Sequence, residues 1–330
     1  MPALLEPLAA SRLISAEQFD PRDGDWTDVT WVAPGGFLSR LLPGPVRDVL
    51  RAWRTLRRAG PRTAILCNGS ARVATLTCFL NEVLPTRRRT IVLWDSFVVG
   101  RTAAARFLIR RMLRGATAVV VYSQTIADRQ ADLTGVPADK FVVLPYKANH
   151  SQRPPLRVPI GNYVFSGGNS QRDYRTLFDA VRGTDVPVIV SATDPAATAG
   201  LDVPPNVILV AAREPHFARL MAGSRFVVVP TFGGLTHGAA EATVCNAMWH
   251  GKPVIATNDT SLADHVGDAG YVLESGDVVG LRNKILRLWN SPDWVAELGR
   301  RAHERVAADL THEHFVRRLN RLATELAASA

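Results

Sequence analysis

Two stretches in the second half of the chain place glycines where a phosphate would need close backbone approach. In the first, YVFSGGNSQRDYRTLF over residues 163–178, a short apolar run ends at Gly167 and Gly168 and a helical pattern follows. Without a Cβ, a glycine lets backbone amides come near an anion, and the N-terminus of the next helix adds partial positive charge. Arg172 would contribute a full charge and a two-pronged donor. A tight turn carrying a surface arginine has the same pattern, and spacing alone leaves both readings open. The second stretch, VVVPTFGGLTHGAAEATVCNAMWHGKPVIAT over residues 227–257, is stronger. A strand ends at Pro230, and a loop with Gly233, Gly234 and Gly238 leads into a helix that begins near Ala239 or Ala240 and stops at Gly251. Gly251 is explained as the left-handed residue that closes the helix. The loop glycines have no such explanation and make a second anion cradle, so that the pair would suit both phosphates of a diphosphate.

Elements able to position these loops recur along the whole chain. Short β-branched runs alternate with amphipathic segments of helical length, the pattern of parallel sheets with crossover helices. Strands are expected in the first half at Val29–Ala33, Thr63–Cys67, Thr90–Trp94, Ala118–Tyr122 and Phe141–Leu144, with a further one near Leu13–Ala16. After the proline-rich, aperiodic NHSQRPPLRVPI, which reads as a linker, they are expected at Tyr163–Ser166, Val186–Ser191, Val207–Val210, Phe226–Val229, Val254–Ala256 and Tyr271–Leu273. Helices are expected at Tyr174–Val181, at Val279–Trp289 and over Asp293–Ala328, the last interrupted near Asp309–Thr311. The expected fold class is therefore α/β, with a domain over residues 1–150 and another over 151–330, the terminal helix free to cross back. A length of 330 residues suits two domains of that kind. Ligands of doubly wound sheets bind outside the carboxyl ends of the strands.

The segment 227–257 resembles the donor-binding region of the retaining glycosyltransferases of family four, the glycosyl transferases group 1. Matches to the family's Glu-Ala-Met-Ala-x-Gly-x-Pro-Val helix are Ala247, Met248, Gly251, Pro253 and Val254, and Thr243 matches a subgroup whose helix begins Gly-Gln-x-Thr. Similarity spans roughly residues 115–320 and is most specific in the C-terminal half. The resemblance implies a GT-B fold of two facing Rossmann-like doubly wound domains, acceptor on the first and nucleotide-diphosphate sugar on the second. It implies transfer with retention and without a metal or other cofactor, because positioned positive charge for the departing diphosphate replaces a protein nucleophile. Arg172 falls where the family places a diphosphate-binding lysine. Gly167, Gly168, Gly238, Thr243, Val244 and Asn246 fall in the nucleotide-binding region. Two positions depart from the pattern: Asn246 stands where a glutamate holds the ribose, and Gly238 stands where a glutamate contacts the donor sugar. The nearest acid is Glu241, which either serves the sugar or complements the helix dipole. These departures sustain an alternative, a non-catalytic sugar-nucleotide-binding or scaffold protein of glycosyltransferase descent.

In the first half, residues at expected strand ends are Gly35 and Gly36, Asn68 to Ser70, and Asp95 with Ser96. Asp95 falls where the family often has a sugar-contacting histidine, and the competing reading is a helix cap. Lys147 would add charge toward the donor or stand in solvent. No Asp-x-Asp pair follows a strand and no His or Cys cluster has ligand spacing, so no metal is expected.

The net charge of +9 lies wholly in the first 150 residues, with 21 Lys+Arg against 12 Asp+Glu, while the rest balances at 18 against 18. Arg106, Arg110, Arg111 and Arg114 share one side of an expected helix over Thr102–Arg114, opposite Ala104, Ala105, Leu108, Ile109, Met112 and Leu113. Such a face is either solvated or docks on anionic lipid, where it would suit a lipid-linked acceptor. Arg87–Arg89 and Arg51, Arg54, Arg57 and Arg58 extend it. No recognition helix, aromatic sheet or zinc motif accompanies the charge, which argues against a nucleic-acid partner. The N-terminus lacks the pattern of a secretory signal and three cysteines have no ligand spacing, so the expected location is cytoplasmic, peripheral on the membrane's inner face if the basic helix docks.

Overall fold

The computed structural model describes residues 13–15, 29–32, 43–84, 88–96, 102–235, 238–257 and 262–329. The chain divides into two compact units, one of residues 1–121, 127–144 and 316–330, the other of residues 122–126 and 145–315. Gly35 and Gly36 lie outside the described residues.

The first unit holds a six-stranded parallel sheet: β1 (Leu13–Ser15), β2 (Val29–Trp31), β3 (Ala64–Asn68), β4 (Thr90–Trp94), β5 (Ala118–Val121) and β6 (Phe141–Val143), in the order β2-β1-β3-β4-β5-β6. Its described helices include α1 (Gly44–Arg58), α2 (Arg72–Val83), α3 (Ala103–Gly115) and α4 (Gln124–Thr134). The strand cores are apolar on both faces, as a sheet covered by crossover helices requires: Ile65, Leu66, Ile91, Val92 and Leu93 are fully buried. Helix α1 packs on α2 and α2 on α3. The apolar side expected for α3 is covered only at its C-terminal end. Met112 and Leu113 are buried, whereas Leu108 is 53% exposed and the neighbouring Phe107 55%.

The second unit repeats the plan with β7 (Val164–Gly167), β8 (Val188–Ser191), β9 (Val207–Val210), β10 (Val227–Pro230), β11 (Val254–Thr257) and β12 (Gly270–Leu273). Its order is β12-β11-β10-β7-β8-β9, all parallel. Read from the other edge this is the Rossmann order 3-2-1-4-5-6, whose direction of winding reverses between β7 and β10. The helices are α5 (Tyr174–Val181), α6 (His216–Ala222), α7 (Glu241–Trp249), α8 (Leu262–Val266), α9 (Val278–Trp289) and α10 (Pro292–Asp309); the last helix, α11 (His312–Ala328), belongs to the first unit from residue 316 onward. Strand β8 starts at Val188 rather than Val186, because Pro187 has no N–H for the ladder and only its carbonyl is used, by Val164 N.

Helix α7 ends as its sequence predicts. Gly251 has φ +68°, its N–H donates to Met248 O, and Lys252 N donates to Ala247 O, the paired bonds of a Schellman closure. Gly299 of α10 lies so close that a Cβ there would come within 2.4 Å of Gly251 O. Glycine at 299 therefore lets α10 seat against this closure.

Candidate functional site

The winding reversal puts the two glycine-bearing loops beside each other at the carboxyl ends of β7 and β10. Residues 172 and 231 form an antiparallel bridge, Phe232 N donates to Gln171 O at 3.2 Å, and Asp173 N to Pro230 O at 3.1 Å. The loops are thus one structure held by backbone bonds.

Gly168 has φ +117°, and a Cβ on it would meet the Arg172 guanidinium at 2.7 Å. Glycine is needed there for both reasons. Its N–H, however, donates to Ser191 O at 3.0 Å, and its carbonyl accepts from Tyr174 Oη at 2.5 Å. The N-terminus of α5 is likewise closed from within, since Asp173 caps it, Oδ1 accepting from Thr176 N and Oδ2 from Thr176 Oγ1. The anion cradle expected at Gly167 and Gly168 is therefore filled by the protein's own carboxylate and carbonyl groups. Gly167 has a packing role: a Cβ there would strike the Phe217 ring at 2.6 Å.

The N-terminus of α7 is different. Its N-cap residue, Ala240, has no capping side chain, and among the described residues the Glu241 carboxylate accepts from Ala240 N at 2.9 Å. Its first-turn amides keep the anion-binding character of an open helix start. Arg172 is buried beside it, 6% exposed. Its Nε donates to Gly167 O at 3.0 Å, Nη1 to Ser170 O at 2.7 Å and Ala239 O at 2.6 Å, and Nη2 to Thr243 Oγ1 at 3.0 Å. Four of five guanidinium N–H bonds are thus spent on the protein, which leaves at most one for a ligand and excludes the two-pronged grip expected from sequence. Burial draws the Arg172 pKa down, opposed by Tyr174 and Glu241, but a guanidinium remains charged at neutral pH. Arg172 accordingly supplies a fixed positive charge rather than a mobile hand.

Glu241 is 4% exposed, and its Oε2 accepts from Ala240 N at 2.9 Å. A Cβ placed on Gly238 would lie 2.9 Å from that same oxygen and 2.7 Å from the ring of Tyr122. The Glu241 carboxylate therefore occupies the space that a side chain at 238 would need, so the missing glutamate and the one three residues later converge on one location. Val244 faces away from the site: it is wholly buried in the core with Val227, Met248 and Val254, and its N–H is bound to Ala240 O. Asn246 is 7% exposed, and its Oδ1 accepts from His150 N at 2.9 Å. A role for Asn246 in holding the segment after residue 145 was not legible in its neighbours.

Sequence reasoning also missed a cavity of about 180 Å³ at the ends of β7, β8 and β9, lined by Gly168, Asn169, Ser191, Thr193, Ala212, Arg213, Glu214 and Phe217. Asn169 organises it: Oδ1 accepts from Thr193 N and Asp194 N, and Nδ2 donates to Thr193 Oγ1. The signal for it was the general rule about strand ends, applied to the turn after β7 but not to those after β8 and β9. Lys147, in the second unit, is 4% exposed, its Nζ lying 4.4 Å from the ring centre of Tyr146 and 4.6 Å from that of Phe315.

In the first unit the ends of β3 and β4 meet. Gly69 N donates to Trp94 O at 2.7 Å, and a Cβ on Gly69 would sit 2.7 Å from Ser96 Cα. Asn68 Oδ1 accepts from Ser70 N and Oγ. Asp95 has φ +55°, a strained value for a residue other than glycine. The cap of α3 is Thr102, whose side chain accepts from Ala105 N at 3.1 Å. Among the arginines of α3, Arg110 reaches Gly135 O at 3.5 Å and Arg111 lies 3.6 Å from Glu82 and 5.3 Å from the Phe107 ring centre. The Arg114 carbonyl, rather than its charge, is engaged by Lys140 Nζ.

Comparison with known proteins bears on this geometry directly. Residues 180–291 match the family model of the glycosyl transferases group 1. No curated protein sequence matches the chain. The structure resembles sucrose-phosphate synthase from Thermosynechococcus elongatus, with 17% identity over 92% of this chain and 84% of that one and a TM-score of 0.67. It resembles the HepE protein of Anabaena in complex with UDP, with 16% identity, 92% and 86% covered and a TM-score of 0.60. It also resembles WaaG, a glycosyltransferase involved in lipopolysaccharide biosynthesis, with 15% identity, 88% and 98% covered and a TM-score of 0.55. The expected GT-B architecture, two parallel sheets with helices, is borne out. With the family match, it supports an enzyme that transfers sugars.

Proposed function

We propose that this protein transfers a sugar from a nucleotide-diphosphate sugar to a hydroxyl acceptor, with retention of configuration and without a metal or cofactor. The observation that carries the reading is the N-terminus of α7, where Ala240 provides no capping side chain and the buried Arg172 guanidinium is held at Ala239 O and Thr243 Oγ1 beside Glu241. A departing diphosphate needs fixed positive potential that costs no rearrangement when the bond to the sugar breaks, and this is such a field. The nucleoside would lie toward the cavity at Gly168, Asn169, Thr193 and Arg213, and the sugar beside Glu241. A neighbour solved in complex with UDP supports a nucleotide ligand. The acceptor would use Asn68, Ser70 and Asp95 in the first unit.

Thermal unfolding with uridine, guanosine, adenosine and thymidine diphosphate sugars, in chelator, tests the donor claim. At least one should raise the midpoint. No shift across the panel overturns it. Binding with neither transfer nor slow donor hydrolysis would favour the scaffold alternative, which Gly238 and the engagement of Asn246 by His150 keep in view.

The basic helix suits an acceptor presented at an anionic membrane surface. Arg106, Arg110, Arg111 and Arg114 of α3 stand with exposed Phe107 and Leu108, and α1 exposes Val46, Val49 and Trp53 beside its own arginines. Apolar side chains among arginines are the composition that lies in a lipid interface, each arginine adding about 1 kcal/mol. No helix among the described residues is long and apolar enough to cross a membrane. Cosedimentation with phosphatidylserine vesicles should be lost in high salt and in Arg110→Glu/Arg111→Glu; binding that survives both refutes lipid docking by this face.

A further inference from the structure

Three side chains in the second unit form a hydrogen-bonded line from the C-terminal end of α7 to the cavity wall. His150 Nε2 lies 3.1 Å from Glu214 Oε1, His150 Nδ1 lies 2.9 Å from His250 Nε2, and Leu156 N donates to His250 Nδ1 at 3.2 Å. A backbone N–H can only donate, so His250 Nδ1 must accept and the proton of neutral His250 must sit on Nε2. That proton is donated to His150 Nδ1, which leaves the His150 proton on Nε2, aimed at the Glu214 carboxylate. Every polarity in the line is determined from one end. Adding one proton to either imidazole creates a donor facing a donor, and moving the His250 proton to Nδ1 only transfers the conflict to Leu156.

We propose that Glu214, His150 and His250 are positioning residues that hold the wall of the nucleotide cavity, and that a single proton on the histidine pair unlatches it. The proposal rests on the cavity being the nucleotide site. Glu214 and Arg213 belong to that wall. The opposite end is tied firmly: Asn246 Oδ1 accepts from His150 N, Trp249 Nε1 donates to Arg153 O, and His303 of α10 holds Trp249 O. The line therefore connects the donor-binding helix to the loop before α6. Other charged or titratable groups near the pair are Lys252 and His303. Lys252 donates to Ser224 O and, like His303, adds to the resistance of His250 to protonation. Burial and the facing His150 hold His250 down at about 4, while the bond from His150 holds Glu214 below its usual value, so the resting state has a neutral His250 and a charged carboxylate.

The test is the affinity of the tightest-binding nucleoside diphosphate at pH 7.5 and pH 4.0, the lower value being where His250 takes up its proton. Wild-type affinity should fall about twofold more than that of His250→Gln, because a glutamine amide takes up no proton, whereas a protonated His250 turns a donor toward Leu156 N. Titration of the terminal phosphate is common to both and cancels. His250→Ala should lose affinity at both pH values, and glutamine should rescue it at pH 4.0. Equal pH dependence in wild type and His250→Gln overturns the latch. If no nucleotide binds at any pH, the functional reading fails on its own. The relay is then read by ¹⁵N–¹H correlation of the imidazoles, where Nε2–H tautomers on both rings at pH 7.5 sustain it and an Nδ1–H tautomer on His250 overturns it.

Discussion

The second unit builds the same local design twice, a strand, a glycine-bearing loop and a helix, and the two copies end in opposite states. At α5 the loop closes on itself: Gly168 N is bound to Ser191 O, and Asp173 brings a carboxylate to the helix start. At α7 the cap residue is Ala240, which has no capping side chain; the Glu241 carboxylate there accepts from Ala240 N, and Arg172, from the first loop, donates to Ala239 O and Thr243 Oγ1. One copy acts as a support, and the other is the proposed donor site. Glycine patterns thus mark where an anion is sterically admissible, and the identity of the cap residue decides whether one is electrostatically welcome.

The most direct way to break this asymmetry is Arg172→Ala. It strips partners from Gly167, Ser170 and Ala239 carbonyls and from Thr243, and it leaves the buried Glu241 without its positive neighbour. Loss on the order of 3–5 kcal/mol is expected in urea unfolding, together with loss of nucleotide-sugar binding. A change under about 1 kcal/mol would show that the support role is misassigned.

Acid probes the other end of α7. His250 and His312 are each drawn from the ordinary 6.5 to about 4, chiefly by burial, His150 adding to the first and Lys147 to the second. As pH falls through 6.5 the unfolded chain takes up these protons, while the folded chain refuses them until near 4. The unfolded state binds more protons in that window, so stability present above pH 6.5 is lost as pH drops toward 4, by about 2–3 kcal/mol for each group at most. Unfolding free energy that is flat from pH 7 to 4.5 in wild type, or unchanged in slope by His312→Gln, would contradict it.

Smaller and more selective effects separate the two helix starts themselves. Ala242→Asp puts a carboxylate on the first turn of α7, where it should weaken donor binding about tenfold while leaving stability the same or slightly higher. Asp173→Ala should do the reverse, costing about 1 kcal/mol through the lost cap while changing nucleotide affinity less than twofold. Calorimetric titration and denaturation on both variants give the result. If Asp173→Ala tightens or abolishes binding, the α5 start is part of the site after all.

Much of the arrangement was legible in one dimension. Alternating apolar runs identify parallel strands because burial on both faces demands continuous β-branched sequence, and the expected strands in both halves appear within a residue or two. Gly251 announced its own conformation, since a helix that ends before a strand needs one left-handed residue. Arg172 was found by type and position. Its role was not, because a guanidinium's partners are carbonyls of residues 167, 170 and 239 that any sequence would supply.

The sequence by itself determined the two glycine loops, their cation, and the departures at 238 and 246. Only the tertiary structure decided that Glu241 fills the space beside Gly238, that Val244 points into the core, and that Asn246 serves the chain at His150. Residue type specifies what a side chain can do, whereas the partner it meets is set by β-sheet winding that joins segments up to a hundred residues apart. The loops of β7 and β10 became one site because the strand order reverses between them.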